Sequence, residues 1–474
     1  MKIDKKTKIV CTIGPATESV EMLTKLVGAG MNVMRLNFSH GDFAEHQGRV
    51  DNLKKVVAKT GAQVAVLQDL GGPKIRIGEF ETGSTILKPG ATFTLTTEKI
   101  VGNNEIVSIN YPLFAKEVKV GDPVLLHDGK KELVVTAIKG NKVICKVIIG
   151  GEIKNKRGVN LPGSDLTVSS ITEKDREDLK FGLKNKVDFI ALSFVRRPED
   201  IIELRQILDK AKCEAKIIAK IETPQALKNI DEIVRLVDGI MIARGDLAIE
   251  IPAEEVPLNQ KMLIRMCNAA GKPVITATQM LESMITSPVP TRAEVSDIAN
   301  AIIDGTDAIM LSEETTLGQY PVQAVTMMTR VAKKIESDEH FRKMVSARTY
   351  SDPIKRTSDA VGNGVIEVVK ESGAKLIVAL TDRGFSARTI SRFKPEQPIL
   401  ALTPREKTKN QLALSYGCVS IVCKKFGELA VVVKEAKTLA LKSGLVKKGD
   451  KIVLVFGFPL GEKGATNSIL VETL

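Results

Sequence analysis

The chain has no tryptophan, only 4% aromatic residues and only four histidines in 474 positions. A protein that grips single-stranded nucleic acid by stacking its bases needs rings in number, so that mode of binding is poorly supplied. No apolar run reaches the roughly 18 residues that span a bilayer. The N-terminal stretch MKIDKKTKIVCTIGP lacks the apolar centre of a secretory leader, and a cytoplasmic protein without membrane contact is expected. Gly-x-x-x-x-Gly-Lys-Ser/Thr occurs nowhere, which excludes a P-loop as the route to nucleotide chemistry. The six cysteines (Cys11, Cys145, Cys213, Cys267, Cys418 and Cys423) form no Cys-x-x-Cys pair and have no histidine at zinc spacing. Most fall inside apolar runs, so buried free thiols are expected.

What is there is a chain 43% hydrophobic and carrying a net charge of +12. Its length allows about three domains. The charge suits anionic small molecules, nucleic acid or an acidic partner, and does not choose among them. Strand-like apolar runs recur at residues 8–13, 32–37, 63–68, 188–193, 216–222, 239–246, 273–278 and 307–311. Amphipathic helical stretches lie between them, for example 19–28, 199–211 and 257–270, and this alternation predicts a (β/α)8 barrel.

Residues 77–165 read differently. Short alternating runs punctuated by Pro-Gly, Gly-Asn and Asp-Gly predict a small β-barrel inserted as a lid. After a helix expected at 321–335 and a polar stretch at 337–356, strands at 375–380, 399–402, 420–423 and 451–456 predict an open, mainly parallel sheet. The expected division is a barrel domain of residues 1–76 and 166–345, a lid domain of 77–165 and a C-terminal α/β domain of 346–474.

Active sites of such barrels lie at the C-terminal ends of the strands. Polar residues gather at those ends: Arg35, Asn37, Asp69, Ser193, Lys220, Glu222, Asp246, Thr278, Ser312 and Glu314. Lys220 and Glu222 stand two apart on one strand and so share a side, a cation beside a carboxylate. Alone, that pair also fits a solvated strand end. A carboxylate from the next strand, Asp246, can reach the same place, and two such carboxylates can hold a hard divalent cation while the lysine attracts an anionic substrate.

The stretches MNVMRLNFSHG (31–41), KIE (220–222), IMIARGDLAIEIP (240–252), ATQMLESMI (277–285) and MLSEET (310–315) resemble the barrel motifs of the pyruvate kinase family, and the likeness covers nearly the whole chain. The resemblance implies transfer of the phosphoryl group of phosphoenolpyruvate to ADP, usually in a homotetramer. It implies that Arg35 and Lys220 supply positive charge to the moving phosphoryl, and that Glu222 and Asp246 bind Mg²⁺ or Mn²⁺. Backbone N–H groups of Ala243, Arg244, Gly245 and Asp246 are implied for the substrate carboxylate. Thr278, Ser312 and Glu314 match positions linked to enolate protonation, and Arg35, Asn37, His40, Arg76 and Lys174 match nucleotide positions. Two other readings are a Mg²⁺-dependent lyase acting on pyruvate enolate and a basic scaffold protein on RNA. The nucleotide positions and the lid argue against the lyase, and assay with phosphoenolpyruvate, ADP and Mg²⁺ separates both from a kinase.

The departures from the family pattern are informative. Where potassium-requiring relatives carry glutamate this chain has Lys74, and where threonine is typical it has Leu70; with Asn37, Ser39 and Asp69 these positions form a monovalent-cation cage. A lysine ammonium can replace the ion, so K⁺ is not expected to be required. Ser312-Glu313-Glu314 stands where Ser-Gly-Glu is common, and Glu313 is expected to face away from the phosphate. His127 stands where an acidic residue is common. The segment Thr381-Asp382-Arg383-Gly384-Phe385-Ser386, before a helix expected at 387–393, matches the loop that holds the phosphate of an allosteric effector, with 457–466 as its cover.

Overall fold

The computed structural model describes residues 5–164, 166–341, 357–460 and 466–474. At its centre is a closed ring of eight parallel strands: β1 Lys8–Thr12, β2 Val33–Asn37, β3 Ala65–Asp69, β4 Phe189–Leu192, β5 Lys216–Ile221, β6 Gly239–Ala243, β7 Val274–Ala277 and β8 Ala308–Leu311. These are the expected apolar runs, with ends shifted by up to three residues. Valine, isoleucine and alanine dominate them because each strand is covered on both faces. Inside the ring Val10, Leu67, Ile218 and Met241 pack together. Outside it the helices lay down apolar stripes, such as Leu23 and Leu26 of Val20–Ala29 and Leu204 and Leu208 of Pro198–Lys210.

The helices begin where the sequence offers an acceptor. The side chains of Ser19, Thr172 and Thr291 accept from the N–H groups of Met22, Asp175 and Glu294, closing first turns that otherwise lack partners. Each such cap is worth about 1 kcal/mol.

Between β3 and β4 the chain leaves the ring. The segments Val159–Asn160, Pro123–Leu126, Lys131–Lys139, Lys142–Ile149, Thr92–Thr96 and Ile106–Ser108 form a six-stranded sheet in that order, and Ser84–Leu87 pairs with Gly151–Lys154 in a separate ribbon. Phe93, Phe114, Leu133 and Cys145 share one core. The ribbon was not expected, because Ser84–Leu87 buries only Leu87 fully and gives little apolar signal. The expected boundary at 165 lies outside the described residues, as does that at 345–346.

The C-terminal strands Cys418–Val422, Ile399–Thr403, Leu376–Leu380 and Lys451–Phe456 run parallel in that spatial order, and Ser468–Thr473 adds an antiparallel edge that the sequence pattern did not reveal. Its residues are half exposed, so no buried run marks it. This unit also closes the N-terminal end of the ring. Ala413 and Leu414 join the interior barrel core, Lys8 Nζ donates to Cys418 O at 2.6 Å, and the Tyr416 N–H donates to Asp307 Oδ1 at 3.2 Å. The opposite end is left to the polar residues. Among the described residues no helix is long and apolar enough to cross a membrane.

Candidate active site

At the C-terminal end of the ring, neighbouring strands deliver a compact charged cluster. Arg35, on β2, donates from Nε to Asp69 Oδ2 at 2.7 Å and from Nη1 to Thr12 Oγ1 at 2.7 Å. Lys220, on β5, donates to Ser193 Oγ at 2.8 Å and lies 3.5 Å from Asp69 Oδ1 and 2.9 Å from Glu222 Oε1. The period-two pairing of Lys220 with Glu222 is therefore realised. Glu222 is fully buried; its Oε2 accepts the Phe194 N–H at 2.7 Å, while Oε1 faces the Lys220 ammonium. Phe194 sits at φ +53°, and after β7 Thr278 and Gln279 sit at +71° and +55°. Such backbone costs about 1–3 kcal/mol per residue and persists where surroundings over-determine it.

The electrostatics follow from this geometry. Burial alone would discharge Lys220, but Asp69 and Glu222 outweigh it and hold its pKa above the usual lysine range. Burial also opposes the charge on Asp69, and Lys220 and Arg35 together pull its pKa below the ordinary value. Glu222 goes the other way: burial raises its pKa, the Asp246 charge adds to that, and Lys220 only partly offsets them. Asp246 stands in the first turn of the helix Arg244–Glu250, directly after β6. A buried carboxylate whose charge Lys220 only partly offsets, beside a second carboxylate, favours a further positive charge. The set fits a hard cation held through oxygen. Among the described residues no group of three or more His, Cys, Asp or Glu forms a ready-made cage, so such an ion would draw its remaining ligands from water and substrate.

Asp246, His40, Lys74, Arg76, Glu313 and Asp128 of the inserted unit all line one cavity of about 610 Å³. Burial, then Lys74 and Arg76, lower the pKa of His40. The Lys74 pKa is lowered by burial and then by Lys220, with Asp246 and Asp69 pulling the other way, so its ammonium is electrostatically part of the site. Leu70 is buried in the apolar layer, and the Asn37 side chain accepts the Ser39 N–H at 3.1 Å. A second cavity of about 600 Å³ is lined by Ser39, Lys74, Arg76 and Lys174 with Tyr111 and Pro112 of the inserted unit. Lys174 Nζ donates to Phe38 O at 2.9 Å and pairs with Asp178 at 2.6 Å.

Several expectations need correction. Glu313 does not face away; it lines the first cavity, where Lys74 and Arg76 give it a cationic setting. The Arg244 guanidinium, for which no substrate contact was expected, is turned into the protein, donating to Ala277 O at 3.1 Å, Thr278 O at 2.8 Å and Asp297 Oδ1 at 2.6 Å. Only the backbone at Arg244 is left for a substrate. The Gly245 N–H donates to Thr278 Oγ1 at 2.7 Å, so these two expected substrate residues satisfy each other, and Ala243 is buried. Glu314 is buried with both oxygens engaged, by the Leu281 N–H at 3.1 Å and the Ser312 N–H at 2.7 Å. It organises the Ser312 turn instead of reaching the cavity.

Thr12 as a partner of Arg35 was not legible from sequence, because the two lie on different strands. Nor did the sequence reveal that Asn160 Nδ2 of the inserted unit donates to Glu250 Oε1 at 2.9 Å, on the helix that carries Asp246.

The effector loop lies elsewhere. Its helix is Phe385–Ser391, beginning earlier than expected, with Gly384 at φ +83° before it. Thr381 and Ser386 are buried, and Ser386 Oγ accepts from Thr466 Oγ1 at 2.9 Å. Asp382 pairs with Arg405 Nε at 2.8 Å and lies 3.7 Å from Arg383 Nε. Residues 461–465 of the expected cover are outside the described residues.

A parallel barrel with a buried lysine and carboxylates at its strand ends, roofed by an inserted β unit, defines a phosphotransferase of the barrel class. The family descriptions "Pyruvate kinase, barrel domain" and "Pyruvate kinase, alpha/beta domain" match residues 4–325 and 359–472. The chain is 46% identical over 472 residues to a pyruvate kinase of Staphylococcus epidermidis, covering 99% of this chain and 80% of that one. It is 44% identical over 471 residues to a pyruvate kinase of Clostridium acetobutylicum, covering 99% of each. The crystal structure of a pyruvate kinase from Cryptosporidium parvum superposes with a TM-score of 0.92 at 38% identity, covering 99% of this chain and 96% of that one. The chain belongs to the pyruvate kinase family.

Proposed function

We propose that the charged cluster at the strand ends transfers the phosphoryl group of phosphoenolpyruvate to ADP, giving ATP and the enolate that is protonated to pyruvate. The enol P–O bond breaks as the new bond forms to a β-phosphate oxygen of ADP. The observation that carries the assignment is Lys220 held as a cation 2.9 Å from the buried Glu222 carboxylate, whose charge it only partly offsets beside Asp246. Lys220 and Arg35 balance the charge that spreads over the equatorial oxygens. Glu222 and Asp246 hold Mg²⁺ or Mn²⁺, which when bound supplies Lewis acidity and a template for the anionic groups. The first-turn N–H groups of Arg244 and Asp246, beside the Gly245 N–H already given to Thr278, receive the substrate carboxylate. Thr278 and Ser312 stand where the proton is delivered. Arg35, Asn37, His40, Arg76 and Lys174 take the nucleotide across the two cavities beneath the inserted unit.

The reading extends to finer points. Lys74 stands in for a monovalent cation, a phosphorylated effector binds at residues 381–386, and the protein works as a cytoplasmic homotetramer with lid, barrel and C-terminal domains divided near 77, 165 and 345. Mixing the protein with phosphoenolpyruvate, ADP and Mg²⁺ should yield pyruvate and ATP in equal amounts. Phosphoenolpyruvate left unconsumed, with neither pyruvate nor ATP formed, would favour a lyase that reaches a pyruvate enolate from another substrate.

A further inference from the structure

His46 lies on the helix Phe43–Thr60, just outside every residue assigned above, and is 1% exposed. Its ring stacks on Phe38 with centroids 4.1 Å apart and meets the edge of Phe181 at 6.2 Å. Nε2 stands 3.0 Å from the carbonyl oxygen of His40, and Arg49 Nη1 donates to Nδ1 at 3.3 Å. The arginine fixes the tautomer: Nδ1 accepts, so Nε2 carries the hydrogen and donates to His40 O. Arg49 is itself held by Glu18 at 3.0 Å and Glu45 at 3.6 Å. Burial, then the Arg49 charge, keeps the imidazole neutral well below its ordinary range, whereas Glu45 pulls the other way and Lys174 adds to the lowering.

These contacts converge on the loop that follows β2. The Phe38 N–H donates to Asp69 O at 2.9 Å, Lys174 Nζ donates to Phe38 O at 2.9 Å, and the His40 N–H donates to Asn37 O at 3.2 Å. His46 supplies the remaining anchor, on His40 O. Gly41 lets the helix come this close: it sits at φ +78°, and a Cβ there would stand 2.6 Å from Glu45 Oε2 and 3.4 Å from His46 Nε2.

We propose that His46 is a positioning residue for the loop of Asn37, Ser39 and His40, holding the His40 carbonyl so that the loop keeps the path nucleotide binding needs. This rests on the reading of Asn37 and His40 as nucleotide residues. A ring-plus-hydrogen-bond anchor makes two separable demands, and two substitutions divide them. His46→Phe keeps the stack on Phe38 and removes the donor, whereas His46→Gln loses the ring but keeps an Nε2 donor and an acceptor for Arg49.

The test is steady-state kinetics on the full-length enzyme with folding checked by circular dichroism. His46→Phe is expected to raise KM for ADP about tenfold, as loss of one anchoring hydrogen bond would, with KM for phosphoenolpyruvate and kcat within about twofold. His46→Gln is expected to restore KM for ADP to within about threefold of the parent. Equal impairment in both variants, or none in His46→Phe, overturns the proposal. Should His46→Phe fail to fold, Arg49→Gln takes its place, and an unchanged KM for ADP there also overturns it. Asn37→Ala distinguishes the two layers. If it leaves KM for ADP unaltered, the nucleotide reading of the loop falls; if it raises KM while His46→Phe does not, only the role of His46 falls.

Discussion

Lys220 Nζ stands 2.9 Å from Glu222 Oε1 and donates to Ser193 Oγ at 2.8 Å, so one ammonium ties the buried carboxylate to the neighbouring strand end. The carboxylate keeps a lone pair for a metal while the ammonium keeps a donor for a phosphoryl oxygen. Removing the lysine should separate those duties. Lys220→Met is expected to lower kcat by at least about a thousandfold, the worth of roughly 4 kcal/mol of transition-state stabilisation. Divalent-metal binding, followed by Mn²⁺ relaxation, should survive. A mutant with normal kcat would remove Lys220 from the chemistry.

Protonation of His46 gives a pH dependence of stability. Its pKa is held at about 4 by burial and then by Arg49, against 6.5 for an exposed imidazole. Between those values the unfolded chain binds more protons than the folded one, so stability falls as pH drops from 6.5 to about 4. The full loss is about 3 kcal/mol. Urea unfolding of the parent and of His46→Phe at pH 7 and pH 4.5 isolates the effect from other titrating groups. The parent should lose most of that amount relative to the variant, and a gap that stays constant with pH would mean His46 is not buried neutral.

How much of this was legible in the sequence depended on the range of the interaction. The ring was legible because its strands are covered on both faces and read as unbroken apolar runs. Lys220 with Glu222 was legible because period two is a local rule. Where the Arg244 guanidinium goes was not legible, because its partners Asp297, Ala277 and Thr278 are distant in sequence and only the fold brings them near. Glu313 misled for the opposite reason: charge repulsion from a phosphate was weighed, but the cations lining the cavity beside it were not in view. His46 drew no reading from the sequence, because no pattern announces a ring that reaches back under the preceding loop.

At the expected effector loop, Asp382 would by itself oppose a phosphate, but Arg405 Nε at 2.8 Å and Arg383 at 3.7 Å already balance it. Arg405 Nη1 also lies 3.2 Å from Glu214 of the barrel, linking the loop to the catalytic unit. Arg383 is largely exposed, so Arg383→Ala removes a phosphate-facing charge with little effect on packing. It is expected to abolish activation by sugar phosphates or nucleoside monophosphates at subsaturating phosphoenolpyruvate while basal turnover stays within about twofold. Ser386→Asp should also lose activation, though its carboxylate would be buried beside Thr466 Oγ1 and would destabilise the unit. An unchanged response in Arg383→Ala would place any effector elsewhere.

The strongest departure from the family pattern is Lys74, and it can be tested by ion replacement. Lys74 lines the cavity with Asp246, and Lys220 repels it while Asp246 and Asp69 attract it. A monovalent cation would occupy that electrostatic position. Leu70 is packed into the apolar layer and offers no oxygen ligand, which fits a site where an ammonium has replaced the ion. Unit charges about 4 Å apart interact by about 4 kcal/mol at an effective dielectric near 20, so loss of the cation without replacement should slow turnover by about a thousandfold. Full activity is therefore expected in buffer free of sodium and potassium, with tetramethylammonium as counter-ion. Lys74→Glu should lose about three orders of magnitude there and regain activity as K⁺ is added, and Leu70→Thr in the same chain should lower the K⁺ concentration needed. Because burial and Lys220 pull the Lys74 pKa down, K⁺-free activity of the parent should also fall at alkaline pH, where the ammonium discharges, and added K⁺ should blunt that fall. A parent enzyme nearly inactive until K⁺ is supplied would show that Lys74 does not replace the ion.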